Sequence, residues 1–237
     1  MKCVVPISGG IDSTVLLHYA KYHYLPERIN DVYAISFRYG QKHADYELHC
    51  AMQLGRQEAV IHKRVDLKFF KDISSISALT NDNIDIAKTR DVLGDAQTVN
   101  YVPFRNQMML SICCAWAETV GAEVVFHGAA QIDTQAGFWD GSVEFIDALN
   151  AVTALNRKHR NTVEAPLIDK SKKEIIEMGL QYGVDFGITW TCYEGGPHAC
   201  GECTACSSRI KGFIDAGIKD PLPYEKEIPW DTLLEQK

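Results

Sequence analysis

The stretch Val4-Val5-Pro6-Ile7-Ser8-Gly9-Gly10-Ile11-Asp12-Ser13-Thr14 decides the fold of this chain. Its apolar beginning predicts a short buried strand that ends near Pro6, because proline cannot donate a hydrogen bond to a neighbouring strand. The two glycines then predict a turn, and the apolar spacing of residues 15–20 predicts a helix. The chain therefore begins with a strand, a loop and a helix.

Strands and helices alternate along most of the remaining sequence. Periodicity predicts strands at residues 31–37, 60–65, 123–126 and 163–167, and helices at residues 44–54, 106–120 and 143–155. Such alternation is typical of an α/β fold with a doubly wound parallel sheet. Ligands bind these sheets beyond the carboxyl ends of the strands, which is where residues 8–14 fall.

Length and composition indicate one α/β domain with a small appendage, since the chain has 237 residues. After about Gly187 it becomes rich in cysteine, glycine and aromatic residues, which divides it into a main domain at residues 1–186 and a C-terminal module at residues 187–237. It has no bilayer-length apolar run and no signal peptide, so a cytoplasmic protein without membrane contact is expected. The net charge of −7 argues against a nucleic-acid partner.

Residues 71–98 are polar and show little periodicity. A long irregular segment within an α/β domain is either a functional lid or a flexible connection. The sequence alone leaves both interpretations open.

Residues 8–14 have the chemistry of an anion-binding loop. Gly9 and Gly10 let backbone N–H groups approach a phosphate closely, and the following helix adds its positive N-terminal dipole. Asp12 suits Mg²⁺ or the support of the loop. Hydroxyl donors can come from Ser8, Ser13 and Thr14. The competing interpretation is an ordinary helix cap made by Asp12 or Ser13.

The pattern Ser-Gly-Gly-x-Asp-Ser directly after a strand resembles the signature of the N-type ATP pyrophosphatases. Members of that superfamily cleave ATP between its α and β phosphates, leave AMP on an acyl or carbonyl oxygen and release pyrophosphate. The resemblance implies a Rossmann-like sheet of the adenine nucleotide alpha hydrolase type, and an adenylation reaction.

Four of the eight cysteines lie close together, at Cys192, Cys200, Cys203 and Cys206. The spacing Cys-x7-Cys-x2-Cys-x2-Cys supplies four soft ligands that suit a tetrahedral zinc site. Free core cysteines, a redox pair and an iron–sulfur cluster remain open from the residues alone. Because four thiolates leave no free position on the ion, a structural Zn²⁺ is expected.

Together, the loop and the cysteines resemble the QueC-type 7-cyano-7-deazaguanine synthases, and the likeness runs nearly end to end. The segments that carry it are, in chain order, residues 8–15, Phe37-Arg38-Tyr39-Gly40-Gln41-Lys42-His43, Val102-Pro103-Phe104-Arg105-Asn106, Pro166-Leu167 with Lys172-Lys173-Glu174-Ile175, and Thr189-Trp190-Thr191-Cys192-Tyr193.

The resemblance implies ATP-dependent conversion of 7-carboxy-7-deazaguanine to its nitrile, with ammonia as nitrogen donor. Adenylation activates the carboxylate, ammonia makes an amide, and a second activation allows dehydration. The implied cofactors are ATP, Mg²⁺ and Zn²⁺, and the implied assembly is a homodimer.

The resemblance also assigns expected roles to individual residues. Catalytic roles are expected for Asp12, Ser13, Arg105 and Lys172, whose two cations would offset charge on the phosphates; Lys42 is a weaker candidate. The nucleotide is expected to contact Ile7, Ser8, Gly9, Gly10, Asp12, Ser13, Thr14, Phe37, Arg105 and Gly128. The substrate is expected to contact Tyr39, Gln41, Asn106, Gln131, Asp133 and Asp140. The two carboxylates among these suit the paired donors of a guanine-like ring edge.

The chain departs from the family at Phe138-Trp139-Asp140-Gly141-Ser142, where typical synthases have Tyr-Pro-Asp-Cys-Arg. The acid is kept, but the proline, the cysteine and the arginine are lost. The alternative is therefore a QueC-like enzyme that stops at the amide and joins the deazaguanine to a protein amine, as in bacterial anti-phage defence. A tRNA-thiolating enzyme with the same loop is less favoured, since it needs a catalytic cysteine and an RNA-binding surface.

Overall fold

Parallel strands form a five-stranded sheet in the computed structural model, which describes residues 1–89, 99–131, 133 and 138–236. The strands are β1 (Cys3–Pro6), β2 (Val32–Arg38), β3 (Ile61–Asp66), β4 (Val124–Phe126) and β5 (Thr162–Glu164). Their order is β3-β2-β1-β4-β5, and each pair of neighbours is parallel. The predicted doubly wound sheet is confirmed. Because the strand order reverses between β1 and β4, the ligand crevice of such a sheet opens there.

Pro6 is the last residue of β1, so the strand ends where the sequence predicts. Its Cα pairs with Ile35 of β2. The next residue, Ile7, donates its N–H to the carbonyl oxygen of Ile35 over 2.8 Å. Since successive N–H groups of a strand point to opposite sides, the nitrogen of Pro6 faces β4. The register with β4 ends at Val4, and β1 therefore needs no N–H at Pro6.

Helices cover both faces of the sheet. Those of the described residues are α1 (Ile11–Tyr19), α2 (Ala44–Gln57), α3 (Phe70–Ile73), α4 (Arg105–Val120), α5 (Val143–Thr153), α6 (Lys172–Gln181), α7 (Thr204–Ala216) and α8 (Trp230–Glu235). The sequence analysis missed α6, although Ser171 and Glu174 form a capping box at its start. That box is a readable signal of a helix N-terminus. None of the described helices has the length and apolar character that a membrane span needs.

Two apolar clusters, one on each face of the sheet, form the core. Val4 belongs to the first cluster and its neighbour Val5 to the second, as alternation along a buried parallel strand requires. The four clustered cysteines belong to the first cluster, together with Phe37 of β2. The C-terminal residues thus share a core with the sheet, and the division near residue 187 stays an interpretation of composition.

Residues 71–89 are the described part of the irregular segment, and they are held by polar contacts within the segment and with the C-terminal residues. Thr80 donates its hydroxyl to the carbonyl oxygen of Ser74 over 2.8 Å. Further along, Thr89 donates its N–H to the carbonyl oxygen of Glu202, beside the cysteine cluster. Lys88 forms an ion pair with Glu194 at 2.5 Å. Residues 90–98 of this segment lie outside the described residues, so both interpretations of the segment stay open.

Candidate active site

The loop after β1 has the geometry of an anion-binding loop. Its backbone N–H groups donate to serine hydroxyl oxygens, which take the positions of an anion's acceptor oxygens. The Gly10 N–H donates to Ser8 Oγ at 3.2 Å, and the Ser8 N–H donates to Ser13 Oγ at 3.2 Å. The two serine oxygens lie 3.1 Å apart. Thr14 is buried, and its Oγ1 has no hydrogen-bond partner among the described residues. These donors lie at the N-terminus of α1, where an anion is favoured.

Glycine is required at position 9 by both backbone and packing. Its φ of +84° lies in the left-handed region. A Cβ there would also come within 2.7 Å of Cys50 Cβ and of the Glu47 carbonyl oxygen, both on α2. The loop is therefore pressed directly against α2.

Asp12 and Lys172 meet beside this loop. The Lys172 ammonium donates to both carboxylate oxygens of Asp12, at 2.6 and 2.7 Å. Lys172 is the first residue of α6, which packs against α1 and α7. The aliphatic part of the Lys172 side chain packs directly against Gly212 of α7, where a Cβ would collide with it. The structure thus brings together a predicted cation and a predicted carboxylate.

Arg105 begins α4 on the far side of the crevice. Its Nη1 donates to the Tyr39 hydroxyl at 3.1 Å, and the guanidinium lies 5.6 Å from the centre of the Tyr39 ring. Burial alone would lower the pKa of Arg105, but Tyr39, Tyr193 and Asp140 raise it above its ordinary value. The guanidinium is therefore a fixed positive charge at the end of β2 and β4.

Gln41 supports the turn after β2. Its Oε1 accepts the Tyr39 N–H at 2.9 Å, and its Nε2 donates to Glu47 at 3.0 Å and to the Phe37 carbonyl oxygen at 3.3 Å. A substrate contact from this amide would have to replace one of these bonds. Direct binding by Gln41 stays a prediction, as does nucleotide contact by Phe37, which is buried at the end of β2.

Glu47 is an acid that the sequence analysis did not select. It accepts from Gln41, and His43 Nε2 lies 3.5 Å from its carboxylate. Burial would raise the pKa of Glu47, but His43, Gln41 and Arg105 hold it below its usual value. His43 Nδ1 lies 3.1 Å from the Tyr193 carbonyl oxygen, so the ring is engaged on both nitrogens. Lys42, the weaker candidate, donates instead to the Ile84 carbonyl oxygen at 2.6 Å.

Residues 127–131, 133 and 138–141 form the opposite wall. Asp133 is partly exposed, and its Oδ2 accepts a hydrogen bond from the Ala130 N–H at 2.9 Å. Burial of the carboxyl raises its pKa, and the charge of Asp12 adds to that rise. Gly141 lies against it, because a Cβ there would come within 2.6 Å of Asp133 Cβ. Asp133 is thus within electrostatic reach of both the loop and Arg105.

His127 fixes the backbone of the altered segment. Its Nε2 lies 2.9 Å from the carbonyl oxygen of Asp140, and since a carbonyl only accepts, Nε2 carries the proton. Burial lowers the pKa of His127 and keeps the ring neutral. Asp140 is itself buried. Three other residues were predicted to contact the nucleotide or the substrate. Gly128 and Gln131 follow β4, and Asn106 lies in the first turn of α4.

Aromatic side chains line the outer edge of this wall. Trp139 is 36% exposed, donates its indole N–H to the Tyr101 hydroxyl at 2.9 Å, and packs edge-on against Phe104 and Phe145. Phe104 precedes Arg105 and has a left-handed φ of 54°, which is uncommon for a bulky residue. The rings of Tyr101, Phe104, Phe138, Trp139 and Phe145 therefore form an aromatic cluster, in which Phe104 and Trp139 are exposed and Phe145 is buried.

The four cysteines come together as a metal site requires. Their sulfur atoms all lie within 4.8 Å of one another and all four residues are buried. Zn–S bonds in a tetrahedron place sulfurs about 3.8 Å apart, and Cys200 and Cys206 are separated by 3.9 Å. Backbone N–H groups of Cys200, Cys203 and Cys206 donate to sulfur at 3.3 to 3.4 Å. Hydrogen bonds from Cys192 and Cys206 lower the pKa of Cys203. This donor set fits Zn²⁺ as a structural ion.

Comparison with known proteins decides the family. The model of the family described as "Queuosine biosynthesis protein QueC" matches residues 2–217. The chain belongs to the QueC family. This QueC chain is 38% identical to 7-cyano-7-deazaguanine synthase of Caldicellulosiruptor saccharolyticus over 98% of its own length and 99% of that protein. It is 40% identical to the synthase of Thermoplasma volcanium, covering 95% and 91% of the two chains.

Solved structures support the fold of this QueC protein. NMN synthetase from Francisella tularensis superposes with a TM-score of 0.51 at 14% identity, over 99% of this chain and 82% of the other. NH3-dependent NAD synthetase from Campylobacter jejuni gives a TM-score of 0.50 at 15% identity, over 79% and 66%. At these identities the likeness shows the shared fold alone.

Proposed function

We propose that the protein adenylates the carboxylate of 7-carboxy-7-deazaguanine with ATP and converts it with ammonia, through an amide, to 7-cyano-7-deazaguanine. The observation that carries the proposal is the position of the Asp12–Lys172 pair and Arg105 around the β1–β4 crevice, beside a loop whose N–H groups donate to serine hydroxyls and whose buried Thr14 Oγ1 has no partner among the described residues. The relatives are 7-cyano-7-deazaguanine synthases, and their name supplies the class of product.

The chemistry requires activation first, because a carboxylate does not react with ammonia until a good leaving group is installed. In this mechanism the N–H of Gly10 and the hydroxyls of Ser8, Ser13 and Thr14 hold the leaving pyrophosphate. Arg105 and Lys172 offset the negative charge that develops when the substrate oxygen attacks the α phosphate. These donors lie in the loop after β1, in the first turn of α1, at the start of α4 and at the start of α6.

Asp12 and Lys172 neutralise each other when no nucleotide is bound. Asp12 would hold Mg²⁺, whose preferred ligands are carboxylate oxygens, and the ion would neutralise phosphate charge. Exchange of the carboxylate then frees the Lys172 ammonium for a phosphate oxygen. The pair thereby keeps both charges satisfied before ATP arrives.

Asp133 and Asp140 suit the donor edge of the deazaguanine ring. Both carboxylates lie near Arg105, since each exchanges a Coulombic interaction with its guanidinium. A carboxylate accepts a pair of N–H donors from one ring edge, which a small aliphatic acid lacks. This pairing would select the substrate.

The conjugating alternative has one observation in its favour, the exposed aromatic cluster at Trp139. In that reaction the same adenylate forms, and an amine of another protein is joined to the deazaguanine. Rings exposed at the mouth of a site suit contact with a polypeptide. The segment that typical synthases fill with Tyr-Pro-Asp-Cys-Arg is therefore where the two reactions differ.

Mass spectrometry of the products tests the proposal. Purified protein is mixed with 7-carboxy-7-deazaguanine, ATP, Mg²⁺ and ¹⁵N-ammonia, and the expected product is the ¹⁵N-labelled nitrile with AMP and pyrophosphate. The matched controls are the Asp12→Ala variant, which should form no product, and Asp147→Ala on exposed α5, which should match the wild type. An amide that persists, or one attached to a protein amine, would support the alternative, and no AMP at all would reject both.

A further inference from the structure

Residues 189–192 form a strap between the phosphate loop and the cysteine cluster. The Trp190 N–H donates to the Gly9 carbonyl oxygen over 2.8 Å. The Trp190 indole donates to the Cys192 carbonyl oxygen over 2.8 Å, and its ring stacks on Tyr46 with centres 4.9 Å apart. Trp190 is 6% exposed. The strap therefore contacts the loop at one end and a metal ligand at the other.

The bond from Trp190 sets the direction of one loop amide. In a trans peptide the C=O and N–H groups point in opposite directions, and the Gly9–Gly10 peptide is not cis. Holding the Gly9 oxygen toward the strap therefore aims the Gly10 N–H at the other side of the loop. There it meets Ser8 Oγ at 3.2 Å, the place where an anion would accept it.

Arg209 holds the strap from behind. Its Nη1 donates to Thr189 Oγ1 at 2.8 Å and to Thr191 Oγ1 at 3.1 Å, the residues on either side of Trp190. Its Nη2 donates to the Phe186 carbonyl oxygen at 3.0 Å. Arg209 is fully buried, and Asp220 binds its Nε at 2.6 Å and its Nη2 at 2.8 Å. A buried guanidinium with this many partners has one defined position.

The same helix carries the cysteine ligands. Cys203 caps α7, Cys206 lies in its first turn, and Arg209 lies one turn further along. A metal ion held by these cysteines and by Cys192 would fix the Cys192 end of the strap against α7, while Arg209 of the same helix holds the Thr189 end. The loop amide, the strap, the guanidinium and the cysteines thus form one connected series of contacts.

We propose that Arg209 is a positioning residue of the nucleotide site, which acts through Thr189 and Thr191 to hold Trp190 against Gly9. The cysteine centre then serves nucleotide affinity as well as stability. The inference rests on the proposed function, because it requires the loop to bind ATP. It assigns a role to residues that the adenylation mechanism does not use.

The test removes the two strap hydroxyls and leaves the ion pair and the cysteines in place. Binding of α,β-methylene-ATP with Mg²⁺ to the Thr189→Val/Thr191→Val variant is measured by calorimetry, together with the zinc content, the melting temperature and the KM of the deazaguanine. The nucleotide affinity should fall about tenfold, as expected when a binding group is misplaced, while zinc content and the KM of the deazaguanine stay within about twofold. Thr153→Val, which removes a hydroxyl from half-buried α5, is the matched control and should bind as the wild type does.

An unchanged nucleotide affinity in the folded double variant would overturn the inference. An equal loss of affinity for nucleotide and deazaguanine would also overturn it, since a general loss of structure affects both. If the double variant does not fold, Thr191→Val alone should weaken nucleotide binding about threefold, and no weakening would overturn the inference. Wild-type protein that binds no nucleotide would reject the proposed function and the inference with it.

Discussion

Lys172 donates to both carboxylate oxygens of Asp12, although 160 positions separate the two residues in the chain. The contact joins the first turn of α1 to the first turn of α6. The cation therefore reaches the phosphate loop through the packing of two helices. Each of the following predictions concerns a contact of this kind.

The Asp12→Ala variant should lose turnover while it keeps its fold. The Asp12 side chain is 31% exposed, so its pair with Lys172 contributes about 1 kcal/mol or less to the free energy of unfolding. Pyrophosphate release should fall below detection, whereas the urea midpoint should change little. Asp147→Ala serves as control, and full activity of the Asp12 variant would refute the role of the loop.

Removing the hydroxyl of Tyr39 should slow catalysis through Arg105. Tyr39→Phe breaks the 3.1 Å bond to the guanidinium but keeps the ring. We expect kcat/KM for the deazaguanine to fall about tenfold, because a hydrogen bond to a charged group is lost. Tyr182→Phe, on the far side of the sheet at the end of α6, is the control. Equal kinetics of the two variants would mean that Tyr39 does not position Arg105.

Each chain should bind one zinc ion. Inductively coupled plasma mass spectrometry of freshly purified protein should find zinc, and Cys203→Ser should lose it and melt roughly 10 °C lower. Cys114→Ser, a half-buried cysteine of α4, should keep the metal. Iron together with visible absorption near 400 nm would show an iron–sulfur cluster instead, and no metal at all would refute the prediction.

Glu58 should make stability depend on acid pH. A hydrogen bond from His18 has the largest effect on the pKa of Glu58, and it lowers that pKa. Burial acts in the opposite direction, but the hydrogen bond from Lys21 adds to the lowering, and the resulting pKa is about 2. A lowered folded pKa gives stability that is complete above the unfolded pKa of about 4.3 and is lost as the pH falls toward 2. Glu58→Gln should therefore cost about 2 kcal/mol of unfolding free energy at pH 7.

Urea unfolding at pH 7 and at pH 3 measures that difference. Between these two pH values the gap between wild type and Glu58→Gln should shrink, since the wild type alone loses the contribution. Glu144→Gln, on the exposed first turn of α5, should leave both values unchanged. A gap that stays constant with pH would show that the charge of Glu58 does not stabilise the fold.

The fold could be predicted because its signals are local. Alternating periodicity located β1 to β5 to within a few residues, and the glycines located the loop. The end of β1 at Pro6 could be predicted because proline has no N–H to donate to a neighbouring strand. Helix α6 was missed although Ser171 and Glu174 form a readable capping box at its start.

Sequence reasoning could select candidate residues where single residue types carry the chemistry. Asp12, Lys172 and Arg105 lie around one crevice, and the four cysteines converge. Arg209 could not be selected, because a buried arginine is recognised only through Asp220, which binds it. Glu47 was equally hidden on the buried side of α2.

The reversal of strand order between β1 and β4 has an evolutionary consequence. The loop of residues 8–14 follows β1 on one side of that point, and the aromatic cluster around Trp139 follows β4 on the other side. Substitutions in the wall leave the contacts of Gly9, Asp12 and Lys172 untouched. Under the proposed function, a lineage can therefore change the acceptor of the activated acyl group while it inherits the activating residues intact.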